Sequence, residues 1–158
     1  MPALRAIYER LGATDVSTYV QSGNVILASP MPPAELSALA TGAIEAELGL
    51  KIRVLGRTHD ALVQIVDRNP YPAAEDTRHH VVFLDGPLAP SGLATLARLA
   101  ADGEEFIVVD GELHLFQPHG IGRSKLGQAL TERHLGVVPT ARNWRTVLTV
   151  RDLSRPRP

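Results

Sequence analysis

Cysteine is absent from the chain. Disulfides, thiolate metal sites and cysteine nucleophiles are excluded with it. The absence also fits a reducing compartment, and the expected location is cytoplasmic. Lysine is nearly absent: Lys51 and Lys125 are the only two, against many arginines. With abundant alanine, this is a compositional bias, so a lone arginine reads as solvated surface. Aromatic residues make up only 4% of the chain, and no RNP-type aromatic signature occurs, which disfavours a base-stacking sheet. No charge of one sign is in excess, for the formal net charge is −1. A strongly basic nucleic-acid binder would look different, although a local basic patch is compatible with this balance. No apolar run has the length of a membrane span, so no membrane partner is expected. The residues from Met1 to Arg5 read as the start of a helix rather than as a signal peptide.

The chain has 158 residues, 44% of them hydrophobic. That is enough for one ordinary domain, or for two small subdomains sharing a core. Pro2 suits a first helical turn, and Leu4, Ile7, Tyr8 and Leu11 follow at helical spacing before Gly12. Val16 to Gln21 and Val25 to Leu27 read as strands joined by a turn at Ser22-Gly23-Asn24. Ala34 to Leu48 is helical and ends at Gly49. Ile52 to Leu55 reads as a short strand. Thr58 is a candidate N-cap for a helix carrying Leu62, Ile65 and Val66. Val81 to Leu84 is a strand, and Ser91 is a candidate cap for the helix carrying Leu93 and Leu96. Phe106 to Val109 and Glu112 to Phe116 flank Asp110-Gly111, the strongest hairpin signal in the chain. A glycine-rich basic loop follows, then a helix with Leu126, Ala129 and Leu130, ending by Gly136. Thr140 would cap a last helix with Trp144, Val147 and Leu148.

Aligned on their hairpins, the two halves approximate one unit, β-α-β-β-α-β, the ferredoxin-like pattern. The expected fold is therefore α+β, with two ferredoxin-like halves, the first lacking its opening strand. The expected organisation is a first half over 1–57, a connector helix and loop over 58–78, and a second half over 79–158. In the second half Val137-Val138 is cut short by Pro139, so no closing strand is predicted there.

Three segments, in this order, carry a family resemblance: the run Thr18 to Val25, Gly120-Ile121-Gly122-Arg123-Ser124-Lys125-Leu126, and Thr140-Ala141-Arg142-Asn143-Trp144. Asn69-Pro70-Tyr71-Pro72 fits the same pattern. Together they resemble domain-of-unknown-function family 1697. The resemblance implies a duplicated ferredoxin-like α+β fold and no particular activity. Members of that family usually begin with a strand and a glycine-rich turn that precede the helix at Pro2. Without that strand, the expectation is a gap or a substitute strand beside Asn24 to Leu27.

The loop Gly120 to Lys125 is the leading candidate for a ligand site. Gly120 and Gly122 let backbone N–H groups approach a ligand closely. Arg123, Ser124 and Lys125 stand where a helix begins, and a helix start attracts anions. The spacing is not that of a Walker A loop. The plainer alternative makes Ser124 a cap and leaves Arg123 and Lys125 solvated. Arg142 offers a planar fork suited to carboxylate or phosphate, and Asn143 adds a donor and an acceptor. Trp144 is expected in the core rather than as a stacking platform. Ser22 lacks the setting of a nucleophile elbow. His79 and His80 are strand neighbours that point to opposite faces, so they cannot share a metal, and no metal site is expected. The pattern assigns no catalytic residue and no cofactor. The functional expectation is a protein binding a small anionic or phosphate-bearing ligand at the Arg123 loop. The alternative is a nucleic-acid-binding or protein-interaction module.

Overall fold

Secondary structure follows the punctuation of the sequence closely in the computed structural model, which describes residues 2–20, 23–101 and 103–156. The chain divides into two units: Met1–Leu62 with Thr149–Pro158, and Val63–Leu148. Helices and two antiparallel sheets make the protein α+β.

The first unit opens on helix α1 (Pro2–Arg10), which buries Ile7 and Tyr8. Gly12, at φ 85°, turns the chain into strand β1 (Thr14–Tyr19). Strand β2 (Asn24–Ala28) pairs with it antiparallel, Thr14 opposite Ala28 and Tyr19 opposite Asn24. The register shifts between Thr14 and Ser17, where Asp15 takes φ 52°. The Ser22 position of the intervening turn lies outside the described residues. Helix α2 (Pro33–Leu48) carries a proline in its first turn and ends on Gly49 in the left-handed region, whose N–H donates to Glu45. Tyr8, Ala13, Val16, Leu36 and Ala40 form the core of this unit. The segment Ile52 to Leu55, read from sequence as a strand, joins no ladder. It is tied down instead by the Val54 N–H donating to the Thr41 hydroxyl at 3.0 Å. Among the described residues β2 has no strand on its other side.

Helix α3 (His59–Asp67) starts at Thr58, whose hydroxyl accepts the Ala61 N–H at 3.1 Å as a cap. The second unit contains strand β3 (His79–Leu84), helix α4 (Pro90–Leu99), strands β4 (Glu105–Val109) and β5 (Glu112–Phe116), short helices α5 (Lys125–Gln128) and α6 (Glu132–Leu135), and strand β6 (Pro139–Asn143). The sheet order is β4-β5-β3-β6, every pair antiparallel. This is a complete β-α-β-β-α-β unit. Its closing strand exists although Pro139 argued against one. Proline is tolerated as the first residue of an edge strand, where no ladder donor is needed. Two further readings change. Ala89, not Ser91, precedes the first residue of α4, and the single helix expected after the basic loop is two, because Thr131 caps a second one through the His134 N–H.

One sheet face carries Val82, Leu84, Leu113 and Leu115, which pack with Leu96, Leu126, Ala129 and Leu135 of the helices into the core. On the other face the cross-strand row is Ile107, His114, Val81 and Arg142. Helix α7 (Trp144–Leu153) follows β6 directly.

Candidate functional site

The Gly120 to Lys125 loop lies against the helix-covered face. A turn of 3-10 helix spans Ile121–Arg123, with Gly120 ahead of it at φ 84°. Ser124 is buried. Its hydroxyl oxygen accepts the Gly127 N–H at 3.0 Å and the Gln117 side-chain amide at 2.8 Å. It is therefore a helix cap and a tether of the loop to the sheet. Arg123, Lys125 and Gly122 are exposed. Gly127 packs so tightly that a Cβ would stand 2.6 Å from the Ile121 carbonyl oxygen. Gly127→Ala is expected to displace this loop and to lower stability by about 1–3 kcal/mol. Chemical denaturation measures the change, and a loss below about 0.5 kcal/mol would show that the loop yields freely.

Arg142 and Asn143 are elsewhere. Arg142 lies half-buried in β6 opposite Val81, on the face away from the basic loop. Its guanidinium donates to the Ala141 carbonyl at 2.8 Å, and burial lowers its pKa. Asn143 accepts the Thr146 N–H at 2.9 Å, so Asn143 rather than Thr140 caps the last helix. The structure thus brings Gly120, Gly122, Arg123, Ser124 and Lys125 together and sets Arg142 apart from them.

A different constellation occupies the second sheet face. His79 Nε2 and His114 Nδ1 are hydrogen-bonded at 3.0 Å, one ring donating to the other, and both side chains are fully buried. Their outer nitrogens, His79 Nδ1 and His114 Nε2, have no protein partner. The indole of Trp144 stacks on His79, with centroids 4.5 Å apart and planes at 17°. Tyr71 meets the same imidazole edge-on at 5.4 Å. Burial, with the His114 and His80 rings adding to it, pushes His79 down to about 3. Burial takes His114 to about 4. Both rings are neutral at physiological pH. His80 points to the opposite face, as strand alternation demands.

A groove of about 580 Å³ opens beside Tyr71. Its lining includes Tyr71, Phe116, Arg78, Glu75 and Glu105, with Pro70, Pro72 and Pro118 around them. The turn Asn69 to Tyr71 is held by the Asn69 side chain, which accepts the Tyr71 N–H at 2.8 Å. Tyr71 and Phe116 lie ring to ring at 5.8 Å. Burial first, and the Glu105 charge second, push the Tyr71 phenol up to about 12, so it is a hydrogen-bond donor. Arg78 is loosely paired with Glu75 at 4.0 Å and half-exposed. Its guanidinium is 2.9 Å from where a Cβ on Gly120 would stand, so the groove adjoins the start of the basic loop. In the sequence Tyr71 stands out only through the family resemblance, and Arg78 carries no signal of its own. Among the described residues no group of three or more metal-ligating side chains comes together. None of their helices is long and apolar enough to cross a membrane.

The protein is α+β, and its second unit carries an open surface groove lined by Tyr71, Phe116 and Arg78. The chain belongs to the family of proteins of unknown function DUF1697, which residues 1–114 match. No curated protein matches it. Its fold is similar to that of a conserved bacterial protein, SP0830 from Streptococcus pneumoniae, at 16% identity and a TM-score of 0.76, covering 98% of this chain and 88% of that one.

Proposed function

We propose that this protein binds a small anionic ligand that carries a planar ring, in the groove between the Pro70–Ala74 turn and β5. The observation that supports this reading is the convergence of Tyr71, Phe116 and Arg78 on one cavity of about 580 Å³. The two rings together offer an apolar wall, and the Tyr71 hydroxyl can orient a polar edge. Arg78 supplies the fork for a carboxylate or phosphate. The cation proposed for the anion is thus Arg78, with the Gly120 to Lys125 loop as the neighbouring rim, and Arg123 and Lys125 add long-range attraction rather than contact. A base-reading nucleic-acid module is less well supported, since Trp144 is buried against His79 and Tyr71 and Phe116 face each other in a cleft.

Calorimetric titration with aryl phosphates and nucleoside monophosphates tests the reading. Arg78→Ala is expected to weaken binding by about 10- to 100-fold. The Arg123→Ala, Lys125→Ala double variant is expected to weaken it less, and more so at low salt. Binding that is equal in wild type and Arg78→Ala, or undetectable in both, overturns it.

A further inference from the structure

The groove beside Tyr71 carries more negative than positive charge. Two carboxylates, Glu75 and Glu105, line it, against the single guanidinium of Arg78. The two carboxylates are placed differently. Glu75 is mostly solvated and is the loose partner of Arg78. Glu105 is exposed and has no cationic partner among the described residues. A wholly anionic ligand drawn to Arg78 would meet that uncompensated charge and be repelled by it.

Register fixes where the Glu105 side chain rises. Glu105 stands directly opposite Phe116, which stands directly opposite His79. Directly opposed residues send their side chains to one face, with Cβ atoms about 5 Å apart. Glu105 therefore leaves the sheet beside the Phe116 ring. Tyr71 meets the same row, 5.8 Å from the Phe116 ring and 5.4 Å from that of His79. The Tyr71 phenol is pushed up by burial first and by the Glu105 charge second, so the carboxylate lies within electrostatic reach of the ring pair. Arg78 comes from the other side. It precedes β3, and its carbonyl accepts the Gln117 N–H at 2.8 Å. Since β5 lies between β3 and β4, the backbones that carry Arg78 and Glu105 are two strand spacings apart, about 10 Å. That span suits opposite charges at the two ends of one ring.

We propose that the ligand of this groove is zwitterionic: a single planar ring with a phosphate or carboxylate at one end for Arg78 and a protonated amine at the other for Glu105. The proposal rests on the ring-and-anion reading of the groove and narrows it. The ammonium removes the repulsion between Glu105 and the ligand's own anion. It also discriminates, because a ring-bearing anion without an amine leaves the Glu105 carboxylate opposed and unmatched. Glu105 is solvated in the free protein, so its pairing sharpens selectivity while Arg78 supplies the larger share of affinity.

Calorimetric titration with two matched probes, para-(aminoethyl)phenyl phosphate and para-ethylphenyl phosphate, tests the proposal. They differ only in the amine. Wild type is expected to bind the amine-bearing probe about 5-fold more tightly, with the advantage shrinking at high salt. Glu105→Gln keeps the shape of an exposed side chain, so the variant is expected to fold and to lose the advantage. Glu75→Gln is expected to tighten both probes alike and to keep it. Arg78→Ala is expected to weaken both probes. Equal affinity of wild type for the two probes, an advantage that survives Glu105→Gln, or one that vanishes in Glu75→Gln overturns the zwitterion. In each of those cases the ring-and-anion reading still stands if Arg78→Ala weakens both probes. No binding of either probe to wild type overturns both.

Discussion

Between pH 8 and pH 5 the protein is expected to lose about 4 kcal/mol of stability through His79 and His114 alone. In the unfolded chain each imidazole titrates at its ordinary value of 6.5, whereas in the fold His79 is pushed down to about 3 and His114 to about 4. The unfolded state therefore binds more protons than the native state from pH 6.5 down to those lower values, and stability rises with pH across that window. Above pH 6.5 the contribution of each neutral ring is fully present. At pH 5 the unfolded chain has gained about 2 kcal/mol per histidine from protonation that the buried pair still refuses. The physical cause is desolvation. A charged imidazole between Trp144, Tyr71 and a second imidazole would lose its water and find no counter-ion. Urea unfolding at pH 8, 6.5 and 5, followed by circular dichroism, measures the slope. His114→Leu removes one titrating group and is expected to flatten the slope by about half. A wild-type stability that stays level from pH 8 to pH 5 would contradict the burial argument.

Truncation of Trp144 is expected to have an effect of similar size. Trp144→Ala should lower stability by about 3–5 kcal/mol. The indole is only 7% exposed and lies flat on His79, and it is carried on the first turn of α7, where the backbone N–H of Trp144 donates to the Asp76 carbonyl. Removing the ring opens a cavity beside two buried polar rings that already lack partners at their outer nitrogens. Trp144→Phe keeps the stack and is expected to recover most of the loss. Because Trp144 is the only tryptophan, its fluorescence in the wild type reports on His79 directly, and quenching is expected as that ring gains its proton in acid. A stability change within about 1 kcal/mol would place the indole at the margin of the fold.

The elements whose cause is local were legible in the sequence. Asp110-Gly111 declares its hairpin because only a few residues accept two positive φ angles in succession. Gly49 and Thr58 mark helix ends for the same kind of reason: one tolerates the left-handed region and the other offers a hydroxyl to an orphan N–H. The misreadings occur where tertiary pairing decides. Ile52 to Leu55 has strand chemistry but finds no ladder, whereas Pro139 to Asn143 has poor strand chemistry and finds one along β3. Trp144 was correctly assigned to the core because a large ring with one polar atom stacks well inside.

The site was less legible, since register is not a local property. His79 and His80 do alternate across the sheet, as their adjacency demands. Yet His79 meets His114 only because β3 and β5 pair with Val81 opposite His114. One residue of slip would turn one of the two strands' histidines to the other face. Arg78 and Tyr71 are likewise joined by a groove whose walls come from the turn before β3 and the strand after the hairpin. Ser124 illustrates the converse: its place at a helix start was readable, but only its contact with Gln117 shows that its hydroxyl is already used.

The strand order also sets a schedule for assembly. All six residues of β3 are buried, and the strand lies between β5 and β6, both of which come later in the chain. As the protein is synthesised, β3 emerges as an unpaired apolar segment and waits for its neighbours. The Asp110-Gly111 hairpin supplies the first of them and forms in microseconds once it is free. The second arrives only when Pro139 to Asn143 has left the ribosome. Until then the most buried strand of the unit has one bare edge, and contact with other nascent chains competes with completion of the sheet. Slow synthesis between residues 84 and 143 would lengthen that interval and lower the soluble yield without altering the finished fold.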